Sequence, residues 1–364
     1  MTTVLKLLAA VVGASVVGAT LLSAVRTVVL PRATPVLITR AVFGGTRMLF
    51  DLRAKRARTF ETRDRIMSMY APITLLLLPL VWIAATLAGF TLLFWAAGQR
   101  PLSDAFITSG SSLLTLGYER PDGLVAIALS FVEAGLGIAV LALLLVTYLP
   151  SMYAAFSRRE QAVAMLEARA GSPPSGVEML IRMARIDGLD ELDPVWEEWE
   201  RWFADLGESH TSLPALAFFR SPEPTQSWIT SAGAMLDTAA LYVATVDLPS
   251  IAPPGHEKEI RAPQAEVCIR SGYLALRRIA AFFRIPFDAD PRPDGAISIR
   301  REEFDDACER MRAAGVPLRA DLDRGWRDFA GWRVNYDAAL VGLAQLTMAP
   351  YAPWSSDRSL LIRS

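Results

Sequence analysis

From Ala71 to Ala97 the chain runs 27 residues without a charged side chain. As a helix this stretch is about 40 Å long, more than the roughly 30 Å of bilayer hydrocarbon, so it reads as a membrane span. A second run of 26 residues, Leu124–Leu149, carries one charge, Glu133. Leu7–Val25 adds 19 uncharged residues behind Lys6. A secretory signal peptide competes for that segment, but its basic stretch is thin and no small-residue cleavage site precedes a soluble domain. It is read here as a retained transmembrane helix. With 52% hydrophobic residues the chain is too apolar for an ordinary soluble protein, and a net charge of −1 gives no argument for nucleic acid.

Between the second and third spans lies Ser103–Glu119, SDAFITSGSSLLTLGYE. Ser103–Leu114 reads as a helix too short to cross a bilayer. Its small polar residues, Thr108 to Ser112, suit burial inside protein better than contact with lipid. Asp104 fits its N-terminus, and its C-terminal end would aim partial negative charge at a cation. It runs into Thr115-Leu116-Gly117-Tyr118-Glu119.

Span, short helix, T-x-G-Y turn, span: over about residues 71–160 this order resembles the pore module of tetrameric potassium channels. The resemblance implies an outer helix over 71–97, a re-entrant pore helix over 103–114, a filter over 115–119 and an inner helix over 124–149. It also implies that K⁺ passes through backbone carbonyls of Thr115, Leu116, Gly117 and Tyr118, which replace its hydration shell. Glu119 departs from the pattern, standing where a second Gly is expected. Gly tolerates φ > 0 there, and Glu does so at a cost. Four copies of Glu119 would instead ring the outer mouth with carboxylates and concentrate cations. With one filter per chain, a closed ring implies a homotetramer in contact with membrane lipid.

Charge placement supplies a topology. Residues 31–70 carry nine Lys or Arg (among them Arg40, Arg47, Arg53 and Arg65) against Asp51, Glu61 and Asp64. By the positive-inside rule this segment, a basic interfacial linker helix, is cytoplasmic. The N-terminus is then outside, residues 103–119 dip from the outer face, and the C-terminal domain is cytoplasmic, as expected for a protein of the cell membrane. In the third span Gly135 and Gly137 stand where the family's pore-lining helix has a hinge, although close helix packing explains small residues equally well. Glu133, an ionisable group inside a membrane helix, is expected to face the pore side, the back of the filter or a packing interface.

Beyond a linker over 161–176, rich in Gly, Ser and Pro near its end, residues 177–364 read as a helical domain. Predicted helices are Val177–Ile186, Pro194–Leu206, Thr225–Val246, Pro263–Phe283, Arg301–Ala314 and Leu322–Met348, separated by breaks such as Ala252-Pro253-Pro254-Gly255. No phosphate-binding glycine fingerprint, catalytic triad or metal motif occurs, so no enzyme or cofactor is indicated, and the domain is read as regulatory with its ligand or partner unknown. Trp196, Trp199 and Trp202 form a helical stripe expected to pack in a core. Ser209-His210 reads as a loop or helix start with a structural His, and Asp288-Ala289-Asp290 as a solvated turn. Asp237 lies in an apolar run and requires a partner, for which Arg220 is a candidate. Cys268 and Cys308 suit a reducing compartment.

The expected fold class is thus an all-α membrane protein. Three transmembrane helices, a re-entrant pore helix and a filter loop precede an all-α cytosolic domain. The expected function is a cation channel of the potassium-channel type, for K⁺ or another monovalent cation. The alternative is a non-conducting receptor or scaffold with a degenerate pore loop.

Overall fold

The computed structural model describes residues 2–28, 37–57, 59–251 and 262–361. All elements among them are helical; an isolated bridge between Val246 and Leu318 is the nearest approach to a strand. The chain divides into two compact units, Met1–Ala154 and Ala155–Ser364.

The first unit contains α1 (Thr2–Val28), α2 (Leu37–Ala54), α3 (Phe60–Ser68), α4 (Tyr70–Ala97), α5 (Leu102–Leu113) and α6 (Leu124–Ala142). Three helical stretches, Thr3–Val28, Phe60–Ala97 and Leu124–Ala170, are long and apolar enough to cross a membrane. Large apolar side chains on them, such as Leu7, Leu76, Leu80 and Val125, point outward, as in a chain solvated by lipid. The expected linker helix over 31–70 is two helices, α2 and α3. Thr59 ends the break before α3 as its N-cap, its hydroxyl accepting from the Thr62 N–H at 3.2 Å. Residues 31–36 and 58 of that segment lie outside the described residues.

The first span packs against its own chain. A Cβ on Gly13 of α1 would come within 2.6 Å of the Gly89 carbonyl on α4, and one on Gly89 within 2.7 Å of Val17. These two glycines let the backbones touch, which is how apolar helices associate where lipid gives no hydrophobic drive. Further along, the Trp82 indole donates to Ser23 Oγ at 3.1 Å.

The expected inner helix over 124–149 is not uniform. After α6 the chain turns through a π-helix, Leu143–Tyr148, before α7 (Leu149–Ala170). The Leu149 N–H reaches back five residues to the Leu144 carbonyl. Pro150 explains the wider turn: its ring lacks an N–H and crowds the preceding turn of an α-helix.

The second unit holds most of α7, then α8 (Gly176–Arg185), α9 (Asp193–Ser212), a 3₁₀ turn (Pro214–Phe218), α10 (Trp228–Thr245), α11 (Leu248–Ile251), α12 (Pro263–Phe282), α13 (Arg301–Ala313), α14 (Leu322–Arg333), α15 (Asp337–Thr347) and α16 (Ser356–Leu361). Helix α10 is buried at nearly every position, as expected of a helix apolar all round, with α8, α12, α14 and α15 packed about it. Two boundaries differ from expectation. The linker over 161–176 shrinks to residues 171–175, because α7 continues to Ala170 and Ser175 already caps α8. The single helix expected over Leu322–Met348 breaks at residues 334–336. There the Asn335 carbonyl accepts from Arg277 Nε at 2.7 Å, a contact that periodicity does not register. The Ala252–Gly255 break lies outside the described residues.

Candidate functional site

Helix α5, 12 residues and about 18 Å long, is too short to cross a bilayer. Its C-terminal turn organises the residues after it through Ser111. The Ser111 carbonyl accepts from the N–H groups of Leu116 at 2.8 Å and Gly117 at 3.4 Å. The Ser111 hydroxyl accepts from the Glu119 N–H at 3.1 Å. Thr115 and Gly117 have φ of 53° and 72°, whereas Leu116 and Tyr118 between and after them do not adopt positive φ. At Gly117 the positive φ is free of steric cost. At β-branched Thr115 it is strained. Glu119 escapes that cost: its φ is not positive, and its backbone is tied to Ser111 instead.

From Leu114 to Glu119 every side chain is exposed, Leu116 at 59% and Tyr118 at 64%. The turn is thus tied to α5 through Ser111 and otherwise exposed.

The support behind it comes from α6. Glu133 is fully buried, and Ser109 Oγ on α5 donates to its Oε1 at 2.6 Å, while lying 3.2 Å from the Leu87 carbonyl of α4. Three helices thus meet at one serine. Among the described residues Glu133 Oε2 is buried without a hydrogen-bond partner. The two glycines expected as a hinge part company. A Cβ on Gly137 would overlap the Leu113 carbonyl at the end of α5, so this glycine serves close packing. Gly135 faces open space. Sequence reasoning singled out Glu133 but missed Ser109 and Ser111, whose small polar character was visible without their direction. It also missed the π-helical turn that Pro150 signals.

The second unit contains two buried polar clusters. Asp237 takes its charge partner from Arg333, not from Arg220, which donates to the Met348 carbonyl at 2.8 Å. Arg333 also binds Asp337 Oδ1 at 2.8 Å and the Trp354 carbonyl at 2.5 Å, and the Tyr336 hydroxyl donates to Asp237 Oδ1 at 2.8 Å. Burial pushes the Asp237 carboxyl above its usual range, and the Arg333 guanidinium pulls it back. In the other cluster His210 lies in the last turn of α9 rather than in a loop. Arg159 Nη1 stands 3.2 Å from its Nε2 and donates at 2.7 Å to the Leu216 carbonyl. A guanidinium only donates, so Nε2 accepts and the imidazole is neutral. Burial, then the Arg159 charge, hold the His210 pKa well below the ordinary value.

The tryptophan stripe packs in the core: Trp196, Trp199 and Trp202 are all buried, with Trp199 and Trp202 centroids 4.6 Å apart. The Asp288 turn is local, Asp288 Oδ1 accepting from the Asp290 N–H at 3.0 Å. Burial raises both thiols, Cys308 to about 12, so neither is poised to react.

The chain matches no protein-family model, no curated protein and no solved structure.

Proposed function

We propose that the chain forms a homotetrameric cation channel of the potassium-channel type, in which Thr115, Leu116, Gly117 and Tyr118 supply the carbonyls that replace a permeant cation's water. One observation carries the reading. The T-L-G-Y turn has positive φ at Thr115 and Gly117, is tied to α5 by both polar groups of Ser111, and is otherwise exposed. Four such turns around an axis would cover one another's apolar side chains and leave a line of carbonyls between them.

In this reading α5 is the re-entrant pore helix. Glu133 and Gly137 brace it from the inner helix, behind the filter rather than in the pore. Glu119 carboxylates ring the outer mouth, and because Glu119 lacks the left-handed backbone of a second Gly, the outermost carbonyl site is altered. The basic α2 and α3 face the cytoplasm by their charge, with the second unit on the same side. The π-helical turn at Leu143–Tyr148, rather than Gly137, is the place where the inner helix bends to gate.

The test is ion flux into liposomes reconstituted with the purified protein, under K⁺ and Na⁺ gradients in turn. Flux that disappears in Gly117→Ala supports the channel. Sealed liposomes under both gradients, with tetrameric protein in the membrane, would favour the receptor alternative.

A further inference from the structure

A cavity of about 540 Å³ opens in the second unit between the turn at residues 171–175, the start of α8, and helices α10 and α13. That volume suits a small organic molecule. Its walls carry the carboxylates of Glu178, Asp237, Glu302, Glu303 and Asp306 against the guanidiniums of Arg182 and Arg310.

Pairing within the protein consumes much of this charge, and unevenly. Arg310 is spent on Glu178 at 2.5 Å. Arg182 donates to the carbonyls of Glu167 and Ala168 at the end of α7, at 3.4 and 3.1 Å, which leaves its charge uncancelled, one positive charge against two unpaired carboxylates. Glu303 is held by Arg358 at 2.5 Å and by the Arg300 N–H at 2.9 Å. Glu302 and Asp306, one turn apart on α13, have no ion pair among the described residues. Asp237 is 1% exposed, and both of its hydrogen bonds, from Arg333 and Tyr336, land on Oδ1; Oδ2 accepts none among the described residues. Trp354 lines the same cavity.

Surplus carboxylates in a cleft of this size, with Trp354 in its lining, favour a positively charged nitrogen on a carbon skeleton. A bare divalent metal fits less well, since no three His, Cys, Asp or Glu side chains converge to hold one among the described residues. We propose that this cavity binds a small organic cation, an alkylammonium or guanidinium compound. Glu302, Asp306 and the free oxygen of Asp237 receive its charge, and Trp354 flanks its carbon skeleton. The site belongs to the second unit and does not depend on conduction.

The experiment is isothermal titration calorimetry on the full-length protein in detergent, with 1,4-diaminobutane and arginine amide as probes and magnesium chloride as control. The doubly substituted variant Glu302→Gln/Asp306→Asn removes the two unpaired charges. Both side chains are exposed and outside the core, so the variant is expected to melt as the parent does. The expected result is saturable binding of at least one organic cation, weakened about tenfold in the variant. No saturable heat with either probe would overturn the proposal. So would unchanged affinity in the variant, which is what a cation held at Glu119 would give, or magnesium binding as tightly as the organic probes.

Discussion

Replacing Arg333 with Met should destabilise the second unit strongly. Arg333 is fully buried, and its guanidinium is shared by Asp237, Asp337 and the Trp354 carbonyl. Methionine fills similar space, so the loss is electrostatic rather than a cavity. Asp337 keeps two bonds from Ser298, its N–H at 2.9 Å and its hydroxyl at 2.6 Å. Asp237 keeps only the Tyr336 hydroxyl, and a buried carboxylate stripped of its cation costs about 3–5 kcal/mol. For a unit of this size 1 kcal/mol moves the midpoint by roughly 2–4 °C, so the melting temperature should fall by about 6–20 °C. Intrinsic fluorescence of the full-length protein in detergent can follow this, because seven of its nine tryptophans lie beyond residue 177. Arg333→Met/Asp237→Asn should recover part of the loss by removing the stranded charge. A drop of under about 2 °C in the single variant would refute the argument, showing that Asp237 is solvated or held by another group.

Four further outcomes follow from the geometry. Gly137→Ala should lose flux because its methyl overlaps the Leu113 carbonyl, whereas Gly135→Ala should keep it; equal behaviour in liposomes would mean that Gly137 is not a packing contact. Ser109→Ala removes the bond to Glu133 and leaves a buried carboxyl with no partner on α5, so it should lower the protein's melting temperature, read as the fraction surviving gel filtration after heating. Glu119→Gly should raise the K⁺/Na⁺ permeability ratio, and an unchanged ratio would count against Glu119 occupying the second-Gly position. For His210 the folded pKa lies below the unfolded value, so the unfolded chain binds the extra proton. Stability should be flat above about pH 6.5 and decline below it, by at most about 1.4 kcal/mol per pH unit. His210→Gln should flatten that part of a melt-versus-pH profile.

The membrane-spanning character was legible because it is a one-dimensional property. A bilayer demands about 20 apolar residues in a row, and the helices found at Thr3–Val28, Phe60–Ala97 and Leu124–Ala170 contain the uncharged runs seen in the sequence. The helical nature of the C-terminal half was legible for a similar reason, since turns announce themselves with Pro and Gly and cores with periodicity. The ends were harder. Helix α9 continues to Ser212 past the expected end at Leu206, carrying His210 from a loop into a helix. The break between α14 and α15 contains neither Pro nor Gly.

What no reading of the sequence supplied is direction. Asp237 announced a need for a partner, but Arg333 lies 96 positions away and is brought to it only because α14 packs on α10. Gly135 and Gly137 are indistinguishable as letters, and only the seat of Leu113 against one of them separates packing from open space. Ser109 and Ser111 belong to one polar run on α5, yet one faces Glu133 and the other holds the T-L-G-Y turn. Residue type and spacing determine what a segment can bury and where it must turn, because those costs are local. Which groups then satisfy one another depends on contacts between distant positions, and these exist only once the helices have packed.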